Sequence, residues 1–237
     1  MKSLKSVIYF SYLQSVSSFR IKEVLFATII FPVILFVIFG YLFQTNTGQS
    51  NIFLLTGIIG MVVASDSLFA VGPVFNAYKQ NNVLKFLQNL PVNIIYHFLG
   101  YFLSRIFVML LTITIICSIS AIFFSYPPTM KEIFTFLLGV ILGQILFSFM
   151  SLVLTSFTKV EGGRIIISSI YTIMLFLSGT FIPIEKMGKP VLIISNMLPL
   201  THFLLFLRGS YIYIFALIGW IILFGGMFAL VSKYSQR

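Results

Sequence analysis

Asp66 and Arg105 are the charged side chains that lie inside long apolar runs of the sequence, so their types and positions could do chemistry. A carboxylate in hydrocarbon costs about 2.5–3.5 kcal/mol, so Asp66 must face a protein interior or a cavity, or be protonated. At roughly 1.5 Å per helical residue, their depths match to within one turn. We predict a buried, structural ion pair. The alternative is that Asp66 binds a cation or carries a proton.

The sequence does not indicate any other catalytic site or metal-binding site. Cys117 is the single cysteine, so it forms no internal disulfide and suggests no metal site. His97 has no second His, Asp or Glu at ligand spacing, and we interpret it as a residue of the membrane edge. An intramembrane enzyme would need a catalytic pair at membrane depth, such as Asp–Asp, His–Glu or Ser–Lys, and Asp66 has no such neighbour in the sequence.

The composition predicts a membrane protein. The 237 residues are 59% hydrophobic and 8% charged, whereas soluble domains carry about 25% charged residues. The mean hydropathy is +1.08. At about 20 apolar residues per span, six helices fit, so the predicted class is an all-α membrane protein with six transmembrane helices. The chain has a net charge of +10, and its basic residues lie between the apolar runs. That placement indicates signals of membrane topology rather than a nucleic-acid partner.

The order of the segments follows from the apolar runs. Residues 1–22 carry an apolar stripe that predicts an amphipathic helix in the membrane interface. Residues 23–237 form the predicted six-span domain, with a kink expected at Pro32. Residues 75–97 are a polar loop that contains a short apolar helical face. The predicted spans run roughly over 24–43, 52–74, 98–124, 133–157, 165–181 and 210–231.

Residues 178–209 are apolar but broken by prolines and glycines, so they do not form one clean span. We predict a re-entrant helical hairpin that dips into the membrane before the last span, where protein or water must cover its backbone. Glu185, His202 and Arg208 could gate its mouth, but polar groups that satisfy the broken backbone are the simpler interpretation. Gly179, Pro183 and Pro199 are therefore the preferred shaping residues.

Basic residues indicate the orientation. Excluding Arg105, ten lie on the side of the N-terminus and four on the other, so both termini are predicted to be cytoplasmic and residues 178–209 external. The inner residues are Lys2, Lys5, Arg20, Lys22, Lys79, Lys85, Lys159, Arg164, Lys233 and Arg237, and the outer ones are Lys131, Lys186, Lys189 and Arg208.

Two stretches carry a resemblance to a known family. The first is Leu177-Ser178-Gly179-Thr180-Phe181-Ile182-Pro183, followed by Leu198-Pro199-Leu200-Thr201-His202-Phe203 and Leu207-Arg208-Gly209. The second is Asn82-Val83-Leu84-Lys85-Phe86-Leu87 with Leu90-Pro91-Val92, although Asn81-Asn82 replaces the family's usual Glu-Gly. With the order of the six spans, these stretches resemble the type-2 permeases of ABC transporters over essentially the whole chain.

The resemblance implies a membrane subunit that pairs with a second permease copy or a sister permease, and with separate cytosolic ABC ATPases that bind ATP and Mg²⁺. The chain contains no Gly-x-x-x-x-Gly-Lys-Ser/Thr loop, so we expect no ATPase site and no cofactor in it. Val83, Leu84, Lys85 and Leu87 would contact the ATPase. Gly179, Pro183, Pro199 and Arg208 would shape a re-entrant gate.

The expected function is therefore export across the plasma membrane. A Phe-rich, nearly uncharged interior suits an amphipathic or apolar cargo such as an antimicrobial peptide or a drug, while a polysaccharide or lipid-linked glycan is the alternative cargo. The rival from another class is a membrane immunity or scaffold protein that binds a partner without transport.

Overall fold

Helices are the regular elements of the described residues, which are 2–42, 48–83, 87, 89 and 94–234 of the computed structural model. The π-helical turn Phe26–Ile30 joins α2 to α3, and a 3₁₀ turn at Ile184–Lys186 precedes α8. The α-helices are α1 (Lys2–Arg20), α2 (Lys22–Leu25), α3 (Phe31–Leu42), α4 (Gly48–Gln80), α5 (Ile94–Phe123), α6 (Met130–Thr155), α7 (Val160–Leu177), α8 (Lys189–Ser195), α9 (Pro199–Leu207) and α10 (Tyr213–Tyr234).

Six helical stretches of the described chain are long and apolar enough to cross a membrane, which confirms the all-helical class and the predicted number of candidate spans. The first comprises α2, the π-helical turn and α3, and the others lie in α4, α5, α6, α7 and α10. The chain reverses between successive spans. We call the end of the bundle that holds α1 and the turn between α6 and α7 the α1 end, and the other the opposite end.

The second span continues beyond its predicted end at residue 74, because α4 runs to Gln80. The polar side chains that suggested a loop are used inside the helix instead. Asn76 Nδ2 donates to the carbonyl oxygens of Thr155 (3.2 Å) and Thr158 (2.7 Å), and Gln80 Nε2 donates to Asn76 Oδ1 (3.1 Å). These hydrogen bonds hold the last turns of α4 against the end of α6 and the turn that follows it.

Helix α4 lies at the centre of the bundle and packs chiefly against α6. The two helices approach closely at Gly72, whose backbone N–H donates to Ser151 Oγ at 3.0 Å. Ser151 Oγ in turn donates to the carbonyl oxygen of Leu68 at 2.5 Å. A side chain at position 72 would overlap the backbone oxygen of Ser151, so the helix spacing requires glycine there.

Gly72→Ala is expected to lower the free energy of unfolding by about 1–3 kcal/mol, because the added methyl group overpacks the contact between α4 and α6. The matched control is Gly219→Ala on α10, where an added Cβ meets no atom within 4 Å. SDS-induced unfolding in mixed micelles measures both variants. Equal stability of the two would contradict the close approach.

Helix α1 packs its serine face, rather than its apolar stripe, against α5. Ser15 and Ser18 are buried, whereas Ile8 and Tyr12 are 58% and 65% exposed. Ser15 Oγ and Ser104 Oγ of α5 share a hydrogen bond of 3.0 Å. The outward apolar stripe is what an interfacial helix would present to lipid, and that placement stays a prediction.

The irregular start of the first span has a local cause. Pro32 lacks an amide hydrogen, so the carbonyl oxygen four residues earlier, on Thr28, loses its helical donor. That oxygen lies in the π-helical turn and accepts a hydrogen bond from Thr112 Oγ1 of α5 at 3.3 Å. A neighbouring helix thus replaces the missing backbone bond, which is how membrane helices tolerate proline.

At the opposite end, the turn before α6 is held by a capping box. Thr129 Oγ1 accepts from the Glu132 amide, and Glu132 Oε2 accepts from the Thr129 amide at 2.6 Å. The Tyr126 hydroxyl donates to Glu132 Oε1 at 2.7 Å. Burial and this carboxylate both raise the pKa of Tyr126, so its hydroxyl stays protonated and remains a donor.

Candidate functional site

The structure brings Asp66 of α4 and Arg105 of α5 together as a buried ion pair. Arg105 Nε donates to Asp66 Oδ2 at 3.0 Å, and a terminal guanidinium nitrogen donates to Asp66 Oδ1. The two residues are 7% and 6% exposed. The parallel, two-point contact is the geometry in which a guanidinium and a carboxylate bind most strongly.

A third helix contributes to the ion pair. Ser18 Oγ of α1 accepts from Arg105 Nη1 at 3.4 Å, and Ser18 also donates to the carbonyl oxygen of Gln14 at 3.0 Å. The Tyr101 hydroxyl, one turn from Arg105 on α5, donates to the carbonyl oxygen of Ala70 on α4 at 2.7 Å. Polar contacts therefore connect α1, α4 and α5 at one depth of the bundle.

The ion pair forms part of the wall of a crevice of about 460 Å³ between α1, the first span, α4 and α5. Glu23 at the start of α2 and Arg164 at the start of α7 also line it, and both are exposed. The π-helical turn contributes Ala27 and Thr28 to the wall. Charges of both signs thus line one cavity in a chain with few charges, which makes it the clearest polar feature of the described bundle.

The broken segment at the opposite end begins where α7 ends at Leu177. Gly179 has a φ of +77°, a conformation that favours glycine, and Pro183 precedes the 3₁₀ turn. Ser195 Oγ at the end of α8 donates to the carbonyl oxygen of Leu177. Helices α8 and α9 meet at an angle of 87°, and Pro199 occupies the first turn of α9, where a proline costs no hydrogen bond.

Helix α9 returns into the protein core rather than along its surface. Phe203 and Leu204 are fully buried, and the Phe203 ring packs edge-on against Phe147 of α6 at 5.6 Å between centroids. The bend therefore folds α9 back between α4, α6 and α10. This geometry fits either a broken span or the predicted re-entrant hairpin.

Arg208 connects the two ends of the broken segment to α4. Its Nη2 donates to the carbonyl oxygen of Gly179 at 2.7 Å, and its Nε donates to Thr56 Oγ1 at 3.4 Å. The guanidinium carbon lies 3.9 Å from the centroid of the Phe53 ring, within cation–π range. Glu185 is exposed, and His202 Nδ1 lies 3.1 Å from the carbonyl oxygen of Leu198, the residue directly before α9.

Arg208→Gln is expected to lower the free energy of unfolding by about 1–3 kcal/mol, because the bond to Gly179 and the contact with Phe53 are both lost. Arg208→Lys, which keeps the charge but not the planar fork, should recover less than half of that loss. Unfolding in mixed micelles provides the measurement, with Lys186→Gln, an exposed site in the same segment, as the control. A loss no larger than that of the control would contradict the link.

Residues 11–212 of the sequence match the family model of the ABC-2 type transporter. The match spans most of the chain, from α1 through the broken segment. The chain belongs to the ABC-2 type transporter family. No curated protein matches it. The family is a permease domain of ABC transporters without an ATPase site of its own, so the chain is a multi-pass ABC permease.

The predicted ATPase contact of this permease lies between α4 and α5. Val83 and Leu87 are half-buried in the structure, while Leu84 and Lys85 lie outside the described residues. Asn82 has a φ of +56°, a left-handed conformation that asparagine adopts more readily than most residues. The chain therefore turns sharply directly after α4, and the role of these four residues stays a prediction.

Several residues that make contacts between helices of the permease were not predicted from the sequence. Thr112, Ser18 and Tyr101 look like ordinary polar residues of apolar helices, and nothing in their spacing marks their partners. Pro32 was one sequence feature that could have indicated such a contact. A proline in a helix leaves the carbonyl oxygen four residues earlier without its backbone hydrogen bond, so another donor must lie nearby. Among the described residues no group of His, Cys, Asp and Glu could hold a metal ion.

Proposed function

We propose that this ABC permease is the membrane subunit of an exporter that moves an amphipathic or apolar cargo out of the cell. The observation that carries the proposal is the family match over residues 11–212, which includes the first five candidate spans and the broken segment. Both termini would be cytoplasmic, as the charge bias predicts.

The proposed assembly contains two permease subunits and two cytosolic ABC ATPases, which would bind ATP and Mg²⁺. Its second permease is another copy or a sister subunit. The family assignment supports the ATPase partner, since a permease without an ATPase site needs an external source of energy. Val83, Leu84, Lys85 and Leu87 are the proposed contact with that ATPase.

The proposed path begins at the crevice near the α1 end. Its mixed charges and apolar walls suit a molecule that has both a polar and an apolar part. The broken segment lies at the other end of α4 and α7, where Gly179, Pro183, Pro199 and Arg208 would form the outer gate. The Asp66–Arg105 pair would hold the helices around the entrance rather than carry the cargo, because its charges already neutralise each other.

An antimicrobial peptide or a drug is the proposed cargo. Phenylalanine makes up 28 of the 237 residues, and aromatic surfaces accept varied apolar molecules. A polysaccharide or a lipid-linked glycan is the alternative cargo. Direct flux measurements with each class of cargo decide between them.

Affinity purification of the tagged permease from native membranes, followed by native mass spectrometry, tests the assembly. We expect a complex of two permease subunits and two ATPase subunits. A stable complex that contains another membrane protein but no ATPase would instead identify an immunity or scaffold protein and overturn the proposal.

A further inference from the structure

A second cavity, of about 570 Å³, lies between α4, α5, α6 and α10. Its walls are mainly aromatic, and they include Phe75, Tyr78, Phe98, Phe102, Phe149 and Phe228. A volume of this size and an apolar lining are typical of small-molecule sites. The cavity shares Val74 and Tyr101 with the polar crevice, so the two lie on either side of one wall.

Ser148 is an unsatisfied polar group in this aromatic wall. It is 6% exposed, and its hydroxyl has no hydrogen-bond partner among the described residues. Comparable buried hydroxyls in the bundle donate to the carbonyl oxygen four residues earlier, as those of Ser15, Thr135 and Thr155 do. An unpaired hydroxyl in an apolar environment is costly, so its position in a cavity wall points to a missing partner.

His97 is the second unsatisfied group of the cavity. Both ring nitrogens are buried without a hydrogen-bond partner in the described chain, although the ring packs against Phe10 and Tyr78 at 5.3 and 6.1 Å. A neutral imidazole offers one donor and one acceptor. The cavity thus combines a large apolar surface with a few polar groups, which is the pattern of a site that orients a ligand.

We propose that this cavity binds a membrane-dissolved small amphiphile with an aromatic apolar body and one polar group, a hydroxyl or a similar donor and acceptor. The apolar body would lie against the aromatic walls, and the polar group would bond to Ser148 and His97. Ile95 and Leu99 line the cavity and are 58% and 45% exposed, so entry is from the lipid side. A lipid acyl chain has no group to satisfy either residue.

Photolabelling with 4-hydroxybenzophenone tests the site, with the permease in phosphatidylcholine nanodiscs and the label mapped by mass spectrometry. We expect saturable labelling of residues 95–102 and 145–152. Ser148→Ala and His97→Phe should each raise the half-saturating concentration by about fivefold, the loss expected for one hydrogen bond. Ser169→Ala is the control, because Ser169 is exposed on α7 and already donates to the carbonyl oxygen of Ile165.

Two further measurements show whether a loss of labelling comes from the site itself rather than from misfolding of the variants. Ser148→Ala removes an unpaired hydroxyl, so its melting temperature should equal or exceed that of the parent. The unreactive competitor 4-benzylphenol should block the labelling, whereas diphenylmethane, which lacks the hydroxyl, should block it several-fold less well. Labelling that does not saturate, that is unchanged in both variants, or that diphenylmethane blocks equally well would overturn the site.

Discussion

Arg105→Met is expected to lower the free energy of unfolding by about 3–5 kcal/mol, because it leaves the Asp66 carboxylate buried without a counter-charge. Both of the hydrogen bonds that Arg105 makes to Asp66 are lost. The contact with Ser18, which helps to hold α1 to the bundle, is lost as well. SDS-induced unfolding in mixed micelles measures the change.

The double variant Asp66→Leu with Arg105→Met distinguishes a structural ion pair from a site whose charges bind a cation or carry a proton. Replacing both members of a buried pair with apolar residues is often neutral for stability, so most of the loss should be recovered. The charge swap Asp66→Arg with Arg105→Asp should also be more stable than either single change.

The control for the ion pair is Arg164→Met, because Arg164 lines the same crevice but is exposed. We expect a change within about 0.5 kcal/mol for this variant. The structural account of the pair fails if Arg105→Met is no less stable than the control. It also fails if neither double variant recovers stability.

Leu84→Asp with Leu87→Asp is expected to abolish copurification of the ATPase while the permease still inserts in the membrane. A short, half-apolar helical face binds a partner by placing its apolar side chains in a groove, and two carboxylates would oppose that burial. Leu87 is half-buried in the isolated chain, so part of it remains available to a partner. Pull-down of the tagged permease followed by quantification of the ATPase provides the measurement.

The matched control for the loop is Asn81→Asp with Asn89→Asp, which adds the same two charges to the same loop at exposed positions. This control should retain the ATPase. Full copurification with the leucine double variant, or equal loss in the control, would show that the apolar face is not the contact.

Sequence reasoning was sufficient for features that depend on one helix or on simple geometry. Apolar runs determined the number of candidate spans because hydrocarbon thickness sets their length. The depths of Asp66 and Arg105 could be compared because both lie on regular helices with a fixed rise per residue. These depths put the two residues at the same level before any contact was known.

Features that depend on a partner from a distant helix could not be predicted. In the extension of α4 to Gln80, Asn76 donates to the carbonyl groups of Thr155 and Thr158, which only the folded chain brings near. Arg208 looked like one charged residue among several in the broken segment, yet it contacts Gly179, Thr56 and Phe53. The unsatisfied state of Ser148 is likewise a property of its surroundings.

The most direct test of the central claim is ATP-driven flux by the purified permease, reconstituted with an ABC ATPase that copurifies with it. Proteoliposomes whose ATPases face outward are given ATP, Mg²⁺ and a fluorescent amphipathic peptide. Export predicts uptake of the peptide into the vesicles that stops without ATP, together with peptide-stimulated ATP hydrolysis. If a complex that still contains both subunits shows no peptide uptake and no stimulated ATP hydrolysis, the export function is contradicted. That result would favour a scaffold or immunity protein.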